Sequence, residues 1–174
     1  RPEIDWPKRK IEVREILEQF RKVDGSWDCI MPVSGGKDST YQVIKMLEMD
    51  MNPLCVTATT CDESDLGSRN ISNLKELGVD HIQFSPKPNI RRKLNRLGLI
   101  EVGDISWPEH VGLFTIPFKV AVSFGINLLI YGENSQNEYG GPDKAARATD
   151  LDRRWLEEFG GMRVSDLADA YGIP

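Results

Sequence analysis

A chain of 174 residues, 40% of them hydrophobic, is long enough for one α/β domain with a sizeable core. Its formal net charge of −5 excludes a global field that would attract a nucleic-acid backbone, and nucleic acid is not expected as a partner. Cys29, Cys55 and Cys61 are an odd number with no Cys-x-x-Cys spacing, so neither a disulfide framework nor a zinc site is indicated; with no signal peptide visible and no apolar run of membrane-spanning length, a cytoplasmic protein without a membrane partner is expected.

In chain order, Asp5 is a good N-cap with Pro7 just inside it. Val13, Ile16, Leu17 and Phe20 share one face, so a helix over roughly 7–23 is predicted to pack on the edge of the domain until Asp24-Gly25-Ser26 ends it. Cys29-Ile30-Met31-Pro32-Val33 reads as a first strand. Ser34-Gly35-Gly36-Lys37-Asp38-Ser39-Thr40 follows it and opens the helical pattern of Tyr41, Ile44 and Leu47. Pro53 introduces a second strand over 54–60, rich in β-branched residues as a buried strand should be. Residues 65–68 lead into a helix over 70–77 stopped by Gly78, and His81-Ile82-Gln83-Phe84 is a short third strand ended by Ser85-Pro86.

Helical patterns follow at about 89–97 and 108–124. The first carries the best basic patch, Arg91-Arg92-Lys93 with Arg96, read as a solvated helix face. A fourth strand, 127–131, precedes a polar loop, 132–141, and two short helices capped by Asp150 and Ser165 lie beyond. Alternation of strands and helices predicts an open, mostly parallel α/β sheet with helices on both faces, its ligands at the carboxyl ends of the strands. The expected organisation is an N-terminal helical segment, 1–25, a central α/β domain, 26–149, and the start of a C-terminal helical region, 150–174, of a longer protein.

The turn at 34–40 is where an anion belongs. Consecutive glycines let backbone N–H groups converge, the helix adds its unpaired N–H groups and positive dipole end, and Ser34, Ser39, Thr40 and Lys37 can add donors or charge. The spacing is neither that of a mononucleotide P-loop nor that of a dinucleotide fold. Asp38 is oddly placed beside a phosphate unless it faces a magnesium ion shared with the ligand, or caps the helix. Glu133, at the end of the fourth strand, is the candidate second metal carboxylate. Glu133, Asn134, Gln136, Asn137 and Glu138 crowd donors and acceptors into one loop, which suits a polyhydroxylated or amide-bearing acceptor.

Ser34-Gly35-Gly36-Lys37-Asp38-Ser39 resembles the pyrophosphate loop of the ATP pyrophosphatase (PP-loop) superfamily, which includes GMP synthetase, NAD synthetase, argininosuccinate synthetase and the tRNA-thiolating enzymes. That resemblance implies an AMP-forming enzyme using ATP and Mg2+, with the loop holding the leaving pyrophosphate, Lys37 and Asp38 as catalytic groups and Asp38 on the metal. It also implies an adenine site at the ends of the first two strands, at Pro32, Val33, Thr57, Ala58 and Thr59, with Gly132 opposite. Residues 27–41, Gly132-Glu133-Asn134 with Glu138-Tyr139-Gly140-Gly141, and Arg163-Val164-Ser165-Asp166-Leu167 look like the N-acetyl sugar amidotransferase family of surface-polysaccharide and pseudaminic acid biosynthesis. This narrower resemblance implies adenylation of the acetamido oxygen of a nucleotide-linked N-acetyl sugar, followed by displacement of AMP by ammonia from a separate glutaminase subunit. Two other readings stand beside it, a tRNA-thiolating enzyme and a module that holds ATP without turning it over.

Overall fold

In the computed structural model, which describes residues 4–60 and 63–132, the chain starts its first helix where the Asp5 side chain accepts a hydrogen bond from the Lys8 N–H at 3.0 Å. Helix α1, Trp6–Glu18, is shorter than the apolar spacing predicts. The cause lies downstream: the buried carboxylate of Asp28 accepts the backbone N–H of Lys22 at 2.5 Å and that of Asn52 at 2.7 Å. A helix running to residue 23 would need the Lys22 N–H for itself. The expected edge packing also shrinks, because Leu17 is the buried residue of α1 while Val13 and Ile16 are exposed.

Strand β1, Cys29–Pro32, is buried at every position, and β2, Pro53–Ala58, is buried over all but its last residue. They pair in parallel from Cys29 opposite Pro53 to Pro32 opposite Val56. The predicted second strand stops at 58, so Thr59 and Thr60 lie beyond it. Strand β3, Asp80–Phe84, follows β2 in the order β1-β2-β3. On the other edge of β1, Ile30 bridges in parallel to Leu129: the Ile30 N–H donates to the Leu128 carbonyl at 2.8 Å and the Ile130 N–H to the Ile30 carbonyl at 2.9 Å. The predicted fourth strand is thus present as a single bridge.

The helices are α2, Lys37–Leu47, α3, Asp65–Asn73, α4, Pro88–Leu97, and α5, Trp107–Phe124. Helix α3 begins before the predicted start because Ser64 caps it, its Oγ accepting the Gly67 N–H at 3.1 Å. Gly67 suggests a break in the sequence, yet glycine inside a helix costs only about 1 kcal/mol, and a capped first turn tolerates it. A 3-10 turn, Leu74–Leu77, continues α3 and ends at Gly78, whose φ of 78° is the left-handed conformation that glycine adopts freely.

The chain divides into two compact units, the first made of residues 1–57, 64–82 and 117–132 and the second of the remainder. The first unit's core gathers Met31, Val33, Val43, Met46, Cys55 and Leu74 between strands and helices. Cys29 and Cys55 are buried apolar residues, as expected, and burial pushes each thiol up to about 12, so neither is a ready nucleophile. Cys61, the loop after Gly132 with Glu133, Asn134, Gln136 and Glu138, and the two predicted C-terminal helices lie outside the described residues. No helix among those described is long and apolar enough to cross a membrane.

Asp28 makes a direct test of this framework. Asp28→Ala leaves two buried N–H groups without their acceptor and is expected to lower unfolding stability by about 2–4 kcal/mol, whereas Asp28→Asn, which keeps one oxygen acceptor, loses less. Urea unfolding of both variants measures the difference.

Candidate phosphate-binding site

The site begins where β1 leaves the sheet. The Val33 N–H still donates to Val56 at 2.9 Å, and then the backbone turns through Gly35, at φ 73°, and Gly36, the N-cap of α2. Gly35 is buried, and α3 lies directly behind it. A Cβ there would sit 2.8 Å from Ile71 Cγ1 and 3.0 Å from Ile71 N. Both conformation and space therefore require glycine. At Gly36 a Cβ would meet only Ser34 Oγ, at 3.3 Å.

The loop keeps its polar groups loosely engaged. The Ser34 N–H reaches Ser39 Oγ and the Gly36 N–H reaches Ser34 Oγ, each at 3.4 Å, near the outer limit of a hydrogen bond. Ser39 and Thr40, expected as ligand donors, instead point their hydroxyls at the Gly36 carbonyl, at 3.1 and 3.0 Å, stiffening the first turn of α2. Lys37 and Asp38 project into solvent, their side chains 88% and 78% exposed, with the ammonium on both carboxylate oxygens at 2.7 and 2.9 Å. Such an exposed pair is weak and exchanges readily for a ligand. The arrangement can thus offer an incoming anion two weakly held N–H groups, a helix N-terminus, and a cation and a carboxylate that separate at little cost.

Thr57 adjoins the loop, but its side chain is committed. Its hydroxyl donates to the Val33 carbonyl at 2.7 Å and lies 2.9 Å from His81 Nε2. At the far edge of β1, Gln42 of α2 donates from Nε2 to the Tyr131 carbonyl at 3.0 Å. A Cβ on Gly132 would lie 2.8 Å from Gln42 Oε1, so a side chain there would have to displace the Gln42 amide. Loop 34–40, Val33, Thr57 and Gly132 thus all belong to the first unit, with Pro32 at the end of β1.

Ala58 and Thr59 belong to the second unit. Thr59 is buried there, its N–H on the Phe84 carbonyl at 2.9 Å and its hydroxyl 3.1 Å from that same carbonyl and 3.0 Å from Ser85 Oγ. Its carbonyl accepts Arg91 Nη2 at 2.9 Å. Arg91 corrects the sequence reading: it is only 5% exposed, its Nε 3.7 Å from the Glu109 carboxylate, rather than part of a solvated face. Arg92, Lys93 and Arg96 are exposed as expected. The missed signal was helical spacing, since 91, 94 and 95 share one face of α4, and a guanidinium there is tolerable only with a carboxylate and carbonyl to meet it. His81 and Gln42 were also missed, and no local motif marks either.

No family model matches the chain. Over 54 residues, 30% of the chain, it is 44% identical to an uncharacterized protein of Methanocaldococcus jannaschii, of which the match spans 19%. The fold is similar to that of the NH3-dependent NAD synthetase from Campylobacter jejuni, with a TM-score of 0.54 and 15% identity over 80% of this chain and 62% of that one. It is similar also to NMN synthetase from Francisella tularensis, with a TM-score of 0.52 and 12% identity over 79% of this chain and 58% of that one. The chain therefore spans about three fifths of each. At such identities the likeness concerns the fold alone, an adenine nucleotide alpha hydrolase-like α/β fold with a parallel sheet, as the alternation of elements predicts.

Two outcomes follow from this geometry. Gly35→Ala is expected to unfold the loop and cost about 2–4 kcal/mol through strain and overlap with α3, while Gly36→Ala, which only weakens the N-cap of α2, costs about 1 kcal/mol or less; thermal unfolding distinguishes them. Burial, and then the charge of Lys75, hold the His81 imidazole below its ordinary value of 6.5. The unfolded chain therefore takes up the proton first as pH falls, so stability is full above about 6.5 and declines below it until the folded protein also titrates. Denaturation midpoints between about pH 7.5 and 5.5 should show that decline, and His81→Gln should remove part of it.

Proposed function

We propose that this chain is the ATP-binding part of an AMP-forming enzyme that activates an acetamido oxygen and replaces it with nitrogen. The observation that carries the reading is the left-handed turn at Gly35 between a buried parallel strand and a helix N-terminus, in a fold shared with two synthetases. In this reading the N–H groups of Ser34 and Gly36 leave their long internal bonds for the β- and γ-phosphates, and Lys37 turns from Asp38 to the same charge. Held in that cradle, pyrophosphate becomes the leaving group and the α-phosphorus stays open to attack.

Magnesium fits this site on one condition. No cluster of His, Cys, Asp and Glu able to hold a metal by itself occurs among the described residues. Magnesium bound with a nucleotide needs only one or two carboxylates besides the phosphates, and Asp38, exposed in the first turn of α2, is one. Glu133 is proposed as the second. The ion would supply charge neutralisation on the departing pyrophosphate.

The acceptor is proposed on the narrower resemblance: a nucleotide-linked N-acetyl sugar, bound through Glu133, Asn134, Gln136 and Glu138. An amide carbonyl is a poor electrophile until its oxygen becomes a leaving group. Attack of that oxygen on the α-phosphorus forms an O-adenylyl imidate and releases pyrophosphate; ammonia then adds to the imidate carbon, and AMP leaves with the original oxygen. The product is an acetamidino sugar, and a separate glutaminase subunit is proposed to deliver the ammonia.

The test incubates the full-length protein with Mg·ATP, an ammonium salt and a panel of UDP- and CMP-linked N-acetyl sugars, and follows AMP, pyrophosphate and sugar mass. Sugar-dependent AMP release with O exchanged for NH in the sugar is the expected outcome. AMP release that depends on tRNA would move the assignment to tRNA modification, and tight ATP binding with no AMP on any acceptor would make the chain a binding module. Asp38→Asn is expected to weaken Mg·ATP by about tenfold while leaving the unfolding midpoint in place.

A further inference from the structure

We propose that His81 is a positioning residue for the phosphate loop, acting through Thr57 on the peptide between Val33 and Ser34. The inference rests on the reading of that loop as a phosphate cradle.

Thr57 has one hydroxyl proton, and the geometry directs it to the Val33 carbonyl at 2.7 Å. The contact of 2.9 Å with His81 Nε2 must then run the other way, with the ring N–H donating to the Thr57 oxygen. This assigns the Nε2–H tautomer to the neutral ring. The alternative tautomer would take the Thr57 proton for itself and leave the Val33 carbonyl without that donor. A relay therefore runs from β3 across β2 to Val33, the residue between β1 and the loop.

Its end point matters because a trans peptide holds its C=O and N–H in opposite directions. The carbonyl of the Val33–Ser34 peptide is turned toward Thr57. Its N–H, which belongs to Ser34, is thereby turned the other way, toward Ser39 Oγ at 3.4 Å, among the groups that line the loop. Fixing the carbonyl thus aims one of the loop's two loosely held N–H donors. His81 is half-buried and Thr57 is 4% exposed, so water competes poorly for the relay. Val33 is anchored on its N–H side by Val56 at 2.9 Å, which leaves its carbonyl orientation to Thr57.

The experiment measures Mg·ATP affinity by calorimetry for the full chain, His81→Ala, His81→Gln, Thr57→Val and the double variant His81→Ala/Thr57→Val, with thermal midpoints recorded separately. His81→Ala should weaken binding about threefold to tenfold, the size of one neutral hydrogen bond. His81→Gln, whose amide Nε2 can still donate to Thr57, should restore most of it. Thr57→Val should weaken binding at least as much as His81→Ala, and the double variant no more than Thr57→Val, because both act through one path. Nitrogen-15 NMR of the imidazole, assigned with His110→Gln, should show the Nε2–H tautomer at neutral pH.

Losses that add in the double variant, a His81→Gln protein as weak as His81→Ala, or an Nδ1–H tautomer would overturn the proposal. Lower thermal midpoints with unchanged affinity would do the same and reduce His81 to a structural role. Should the unmodified chain fail to bind Mg·ATP, the cradle reading falls and this inference with it. Binding by the unmodified chain and equally by every variant removes the inference alone.

Discussion

Strand β1 is the constraint on which the rest depends. Its residues are buried without exception, it is hydrogen-bonded to β2 along one edge, and Ile30 bridges to 128–130 along the other. A strand so enclosed cannot shift register without moving its apolar side chains to the wrong face. The point where it leaves the sheet is therefore fixed, and so is the turn that follows. Asp28 secures the other end, tying the residue before β1 to the segments before and after it. The loop is in this sense a consequence of the core: a rigid strand delivers a backbone that has to turn sharply against α3.

The turn combines rigidity with unsatisfied demand. Gly35 is boxed in by Ile71, and the carbonyl of Gly36 is saturated by Ser39 and Thr40, so the frame of the loop is stiff. Its N–H groups are the opposite, held at 3.4 Å by hydroxyls that a phosphate oxygen can replace. In the proposed reading, a site prepared in this way binds an anion without first paying to order itself. The second unit shows a different use of charge. Arg91 is enclosed with Glu109 and the Thr59 carbonyl, and Asn95 donates to the same carboxylate at 2.9 Å, so its positive charge serves the packing of α4 and α5 rather than a ligand.

Much of this was legible in the residues because the informative features are local. The glycine pair after an apolar run locates the loop, and alternation of strands and helices locates the sheet. What escaped was decided across distance. The end of α1 depends on a carboxylate beyond it, the burial of Arg91 on a partner in α5, and the engagement of Thr57 on a histidine two strands away from the loop. Helix α3 starts earlier than predicted because Ser64 caps it, a local bond that the apolar spacing does not register. The backbone groups of Val33 and Thr59, two residues of the expected adenine site, turn out to be largely occupied by the sheet and by α4, a matter of pairing that no spacing reveals.

The most direct measurement of the central claim is a titration of the isotopically labelled chain with inorganic pyrophosphate, with and without Mg2+, followed through backbone amide shifts. Saturable shifts concentrated at Ser34 to Thr40, stronger with Mg2+, are the result the account predicts. Saturation that leaves those amides unmoved, or shifts confined to other surfaces, would contradict the assignment of this loop as the pyrophosphate cradle.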